Sequence, residues 1–141
     1  MDAADFFRDV VERNYVEFLD NQNELRRLWN AVVSMNTIAE YVALDRLKYK
    51  KIDSDKLDEE AKKIREYNPI LLDLKVCAEM LKHVRKLKGR FIAEGTPTLS
   101  STGLLADQSD TWIIDYGSVH YVLADVLRQA FETVSTFPEF N

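Results

Sequence analysis

A chain of 141 residues, 46% hydrophobic and 30% charged, has the size and balance of one globular domain able to bury a core without disulfides or metal. The formal net charge of −5 argues against non-specific nucleic-acid binding by the whole surface, and the opening MDAADFFRDVVERNYVEF has acids where a signal peptide carries bases. Charges interrupt every apolar run short of the roughly 18 residues a membrane helix needs, so a soluble, cytoplasmic protein with no membrane partner is expected.

Residues 3–19 place Phe6, Phe7, Val10, Val11, Tyr15 and Phe18 at helical spacing, with Arg8, Asp9, Glu12 and Arg13 turned outward, which predicts a helix. The turn formers Asn21, Gln22 and Asn23 end it. A second helix is predicted over 24–47, with Leu25, Leu28, Trp29, Val32, Ala39, Ala43 and Leu47 on one face, long enough to span the domain. Ser54 or Asp55 can cap a third, in which Leu57, Ala61 and Ile64 recur. Asn68-Pro69 is a clear start signal, because proline at the first helical position lacks an amide hydrogen that would be unsatisfied there anyway. It opens the strongest helical stretch, residues 68–90, around which the other helices are expected to be organised. Gly89 can close that helix in the left-handed conformation.

Residues 90–111 are polar and turn-rich, a length of loop uncommon inside compact domains, and a short irregular hairpin with partial order is expected there. Trp112-Ile113-Ile114, Asp115 to Ser118 and Val119-His120-Tyr121 read as strand, turn and a second strand. Competing with that second strand, Val119, Leu123, Val126, Leu127, Ala130, Phe131 and Val134 form a helical face, which starts the last helix between Ser118 and Val122. The fold class is therefore mainly α: one domain over 1–141, an up-and-down bundle of four to five helices with a small β-hairpin or irregular excursion, about 90–118, before the last helix.

Charge is unevenly spread along the chain. Residues 1–24 carry seven acids and two arginines, residues 25–90 sixteen bases and ten acids, and residues 91–141 seven acids and one arginine. A basic middle between acidic ends fits helices whose solvent faces complement one another; the alternative is a nucleic-acid patch.

On the 68–90 helix, Ile70, Leu74, Cys77, Leu81 and Val84 converge on one face, and Lys75, Glu79, Lys82, His83 and Lys86 form a stripe opposite. Glu79 and His83 are four apart and can share a hydrogen bond that orients or charges the imidazole; the plainer interpretation is a solvated charged face. Asn14 and Asn36 fall within the apolar faces of the first and second helices, where an unpaired amide is costly. They either satisfy a neighbouring helix end or loop, or line a polar ligand pocket between helices. Cys77, the one cysteine, reads as a small core hydrophobe. Zinc spacings, a glycine-rich phosphate loop and a Gly-x-Ser-x-Gly elbow are absent from the sequence, so no metal, cofactor or catalytic residue is assigned.

The run Asn30-Ala-Val-Val-Ser-Met-Asn-Thr-Ile-Ala-Glu-Tyr, the stretch Leu74 to His83, and the Trp-Ile-Ile and Gly-Ser-Val-His segments before a last helix resemble uncharacterised bacterial helical proteins of the HEPN-like kind. The resemblance implies a dimeric helical bundle, and in its active members a ribonuclease of toxin or defence systems whose signature is an arginine followed after four to six residues by a histidine. Here Ala78, Cys77 and Val76 occupy the arginine positions before His83, and His120 has no arginine at that distance, so only His83 maps onto the signature. The chain is thus expected to be a non-catalytic binding or interaction module acting as a homodimer, without a cofactor. The alternatives are a HEPN-like ribonuclease or RNA binder, with RNA or another protein as partner, and a small-ligand-binding bundle.

Overall fold

The computed structural model describes residues 1–47, 53–86, 98–101, 112–116 and 119–141. It is a mainly α-helical bundle with one small sheet, in the order that the periodicity predicts. Helix α1 runs as Ala3–Phe6, a π-helical turn Phe7–Val11 and Glu12–Asp20; α2 is Leu25–Leu47, α3 Ser54–Tyr67 and α4 Pro69–Lys86. Strands β1 (Thr98–Ser101), β2 (Trp112–Tyr116) and β3 (Val119–Val122) form an antiparallel sheet in that order, followed by α5, Leu123–Val134, and a 3-10 turn, Pro138–Phe140.

Helix starts follow from local chemistry. Asp2 caps α1 by accepting from the Asp5 amide at 2.8 Å, and Asp53 caps α3 by accepting from the Lys56 amide at 2.8 Å. The α3 cap is therefore one residue upstream of Ser54 and two upstream of Asp55, the expected caps, which are already helical. Asn68 serves two helices: its side-chain amide donates to the Ile64 carbonyl at 2.8 Å, closing α3, and its own carbonyl accepts from Leu71 as α4 begins.

Helix α2, not the 68–90 stretch, is the element on which the others converge: α1, α3, α4 and α5 all pack against it. The reason is length. The buried face of α2 runs from Leu28 through Ala31, Val32, Met35, Ile38, Ala39, Val42 and Ala43 to Leu47, about five turns, whereas the buried stripe of α4, Leu71, Leu74, Cys77, Ala78 and Leu81, runs for about three. Leu25, placed by spacing on the core face of α2, is instead 45% exposed at its first turn.

Helices α1 and α2 are antiparallel. The Ala3 amide donates to Asp45 at 3.1 Å at one end, and the Arg27 guanidinium donates to the Glu17 carbonyl at 2.9 Å at the other.

The last helix begins at Leu123 and not between Ser118 and Val122. Residues 119–122 pair with β2, Ile113 opposite Val122 and Tyr116 opposite Val119, so their backbone groups are satisfied in the ladder. Val119 consequently leaves the helical face and stands 44% exposed. Ile114 is fully buried and seats the sheet on the bundle, and the Trp112 indole donates to the Gln22 carbonyl at 3.0 Å, tying β2 to the α1–α2 turn. The expected Gly89 cap, most of the 90–111 excursion and the Gly117-Ser118 turn lie outside the described residues.

Candidate functional site

The expected stripe on α4 is placed only in part. Lys75, Glu79 and Lys82 are exposed, and Lys82 reaches Glu79 at 3.5 Å, an ordinary surface pair. His83 and Lys86 continue the same helix, but their side chains lie outside the described residues, as does the proposed Glu79–His83 bond.

Asn36 and Asn14 do not face each other across a cavity. Asn36 is half-buried against α3, where Arg65, 5% exposed, donates from Nη2 to its carbonyl at 3.0 Å and to its Oδ1 at 3.5 Å. The same Nη2 reaches Glu40 at 2.9 and 3.1 Å. Asn36 is thus partnered by a buried arginine, a structural arrangement that joins α2 to α3. The burial of Arg65 had one sequence signal: it follows Ile64 and stands four residues after Ala61, on the edge of the apolar stripe of α3.

Asn14 instead lines an open groove of about 310 Å³ between α1 and α2. From α1 come Phe6 and Asn14; the other wall is α2, with Trp29, Asn30, Val33, Ser34, Thr37 and Tyr41. The register from Ala3–Asp45 through Phe6–Tyr41 to Glu17–Arg27 brings Asn14 level with the stretch from Asn30 to Ser34.

The π-helical turn shapes this wall. In an unbroken α-helix Phe6 and Asn14, eight residues apart, would point about 80° apart; one surplus residue reduces this to about 20° and puts them on one face. The surplus is visible in the Glu12 amide, which bonds to the Phe7 carbonyl five residues back. It also lets two consecutive aromatics face inward: Phe6 stacks on Tyr41 at 4.0 Å, and Phe7 on Phe131 at 5.6 Å and Phe140 at 4.6 Å. The sequence carries no local signal for it, since Phe6, Phe7, Val10 and Val11 fall within the apolar face of a regular helix as well.

Every described side chain lining the groove is uncharged. Ser34 and Thr37 donate their hydroxyls to the carbonyls of Asn30 and Val33, at 2.6 and 2.8 Å. The carboxamides of Asn14 and Asn30 bond to no other described side chain or backbone group and open on the groove. Asn30, Ser34, Thr37 and Tyr41 recur at helical spacing, a polar stripe on an otherwise apolar helix that periodicity could have isolated.

A second, wider cleft of about 530 Å³ lies between the start of α4 and the β3–α5 junction, with the carboxylates of Asp73 and Asp125 and the amide of Gln129 among its walls. Among the described residues no three His, Cys, Asp or Glu side chains are grouped so as to hold a metal ion, and no helix is long and apolar enough to cross a membrane. Neither a known protein family, nor a curated protein, nor a solved structure matches the chain.

Proposed function

We propose that the chain is a non-catalytic binding module whose ligand face is the groove between α1 and α2. The observation that supports this is the pair of carboxamides, Asn14 and Asn30, unpaired among the described residues and facing an aromatic-walled groove whose described side chains are uncharged. A carboxamide offers two donors and an acceptor in one plane, so two of them, one from each wall, favour a neutral polar ligand with a flat face. The side-chain amide resonances of Asn14 and Asn30 test it directly. Titration with benzamide and nicotinamide is expected to shift both while those of Asn68 and Asn141 stay in place. No shift up to about 10 mM, weaker than any affinity such a site would supply, sinks the groove reading.

A second part of the proposal is that the module works as a homodimer through the apolar corner formed by Val16, Leu19 and Leu25, the exposed large hydrophobics of the α1–α2 turn. Sedimentation equilibrium decides between one chain and two. The rival, a HEPN-like ribonuclease or RNA binder working through Lys75, Lys82, His83 and Lys86, has in its favour that Lys75 and Lys82 are exposed two turns apart on one stripe of α4. Cleavage of RNA that is abolished by His83→Ala would replace the binding-module reading with this one.

A further inference from the structure

We propose that the ligand of the α1–α2 groove is a nucleobase carried without phosphate, as a free base or an uncharged nucleoside; this rests on the groove being the binding face. Three properties of the groove select that chemistry. Its walls include the indole of Trp29 and the phenol ring of Tyr41, one face of which Phe6 already covers at 4.0 Å, and flat rings of this kind are surfaces on which a heteroaromatic ring stacks whatever its substituents.

Its polar groups are carboxamides. Asn14 and Asn30 each present an acceptor beside donors, the complement of a ring edge on which a donor adjoins an acceptor, as every nucleobase has: a ring nitrogen beside the exocyclic amine in adenine and cytosine, a ring N–H beside a carbonyl in guanine and uracil. The antiparallel register holds Asn14 level with the Asn30–Ser34 stretch, so both amides can meet one ring lying against Trp29, with the Ser34 and Thr37 side chains further along α2.

Its charge environment excludes phosphate. Among the described residues no cation lines the groove, and the wall contributed by α1 belongs to a segment, residues 1–24, with seven acids against two arginines. Both arginines and the base nearest the α2 end of the groove have carboxylate neighbours or are turned outward: Arg8 pairs with Asp5 at 2.7 Å, and Arg27 with Glu24 at 2.9 Å. A phosphate would enter a negative field with no partner among the described groove residues to offset it.

The π-helical turn is a separate observation pointing to the same place. Such turns are uncommon and concentrate at functional sites, and this one brings Phe6 and Asn14 onto the groove face.

The test uses the intrinsic fluorescence of Trp29. The chain has two tryptophans, so Trp112→Phe leaves Trp29 as the sole reporter. Adenosine, guanosine, cytidine and uridine are titrated separately, followed by the 5′-monophosphate of whichever binds and a single-stranded oligonucleotide of the same base. At least one nucleoside is expected to quench Trp29 saturably, with its monophosphate and the oligonucleotide about ten-fold weaker or more. Asn14→Leu and Asn30→Leu are each expected to weaken the nucleoside about ten-fold, the loss of one hydrogen-bonding group, with the helical circular dichroism unchanged.

Absence of saturable quenching by all four up to about 10 mM overturns the proposal, as does a phosphate-bearing ligand that binds more tightly than its nucleoside. If Trp112→Phe does not fold, the Asn14 and Asn30 side-chain amide resonances of the unaltered protein give the same reading. Benzamide or nicotinamide shifting those amides while no nucleoside does would refute the nucleobase and leave the groove standing; silence to both refutes the two together.

Discussion

Arg65 is 5% exposed, and one of its nitrogens, Nε, is buried and bonds to nothing among the described residues. Its Nη2 holds Asn36 and Glu40, but Glu40 keeps 38% of its side chain in solvent. The ionic contact is therefore half wet, and removal of the arginine leaves a carboxylate that can turn outward. What α3 needs from Arg65 is its aliphatic stem filling the seam with α2. Arg65→Ala is expected to cost about 2–4 kcal/mol in urea unfolding and Arg65→Met under about 1.5 kcal/mol, because methionine restores the volume and removes the unpaired Nε. Equal losses in the two variants would show that the charge, not the stem, holds the helices together.

Two buried acids that are neutral at ordinary pH weaken the fold on the alkaline side. Burial pushes the Cys77 thiol up from 9.0 to about 12, with the negative charge of Asp73 adding to it. Burial likewise raises Tyr15, with Glu132 acting in the same direction and Arg128 against. In the unfolded chain the thiol loses its proton near 9, while the folded chain keeps it to about 12, so the unfolded state binds fewer protons across that window. Stability is fully present below pH 9 and falls as pH rises toward 12. Cys77→Ala is expected to flatten part of that fall, read as the urea midpoint at a series of alkaline pH values; an identical slope in the variant would show that the thiol takes no part.

Among the elements, the C-terminal 3-10 turn closes the end of the bundle against α1. Phe140 stacks on Phe7 at 4.6 Å, and Glu139 pairs with Arg46 of α2 at 2.7 Å. Phe140 is only half-buried, so Phe140→Ala is expected to cost about 1–3 kcal/mol, less than a fully buried aromatic. Phe7→Ala should cost more, and a double-mutant cycle should show coupling between the two of about 0.5–1.5 kcal/mol in urea unfolding. Zero coupling would mean that the turn is held by Arg46 and not by the rings.

The helices themselves were legible because their apolar spacing and end signals agree: Asn21 to Asn23 and Asn68-Pro69 mark boundaries by chemistry confined to a few residues, while at the start of α3 three adjacent capping residues, Asp53, Ser54 and Asp55, left the choice to the backbone, which uses Asp53. Residues 119–122 were ambiguous because Val119 fits two periodicities, and only pairing with β2, a contact made by another segment, decides between them. The π-helical turn and the burial of Arg65 depend on what stands opposite them, Tyr41 with Phe131 in one case and Glu40 in the other. The groove was half legible: Asn14 stood out as an amide on an apolar face, but Asn30 joins it only through the antiparallel register of α1 on α2, and Asn36 belongs to Arg65 instead.

Across the whole molecule, the acidic ends and basic middle meet through a few contacts that fix the packing. Arg27 reaches Asp20 at 3.3 Å and Arg46 reaches Glu139 at 2.7 Å, so both acidic segments are fastened to α2. This leaves the question of what meets the corner where α1 turns into α2. Val16, Leu19 and Leu25 are 57, 48 and 45% exposed there, within ten residues of chain and beside the Trp112–Gln22 bond that anchors the sheet. Two such corners facing one another about a two-fold axis would each supply the cover that the other lacks, and in that arrangement each substitution counts twice. Leu19→Glu combined with Leu25→Glu places four carboxylates across the proposed contact. The unaltered protein is expected to sediment as two chains and the double variant as one, with the same helical circular dichroism and a midpoint in urea that no longer depends on protein concentration. A single-chain mass for the unaltered protein at every concentration would remove the homodimer from the proposal, while the groove between α1 and α2, on the same two helices but away from their turn, would remain to be tested by its ligand.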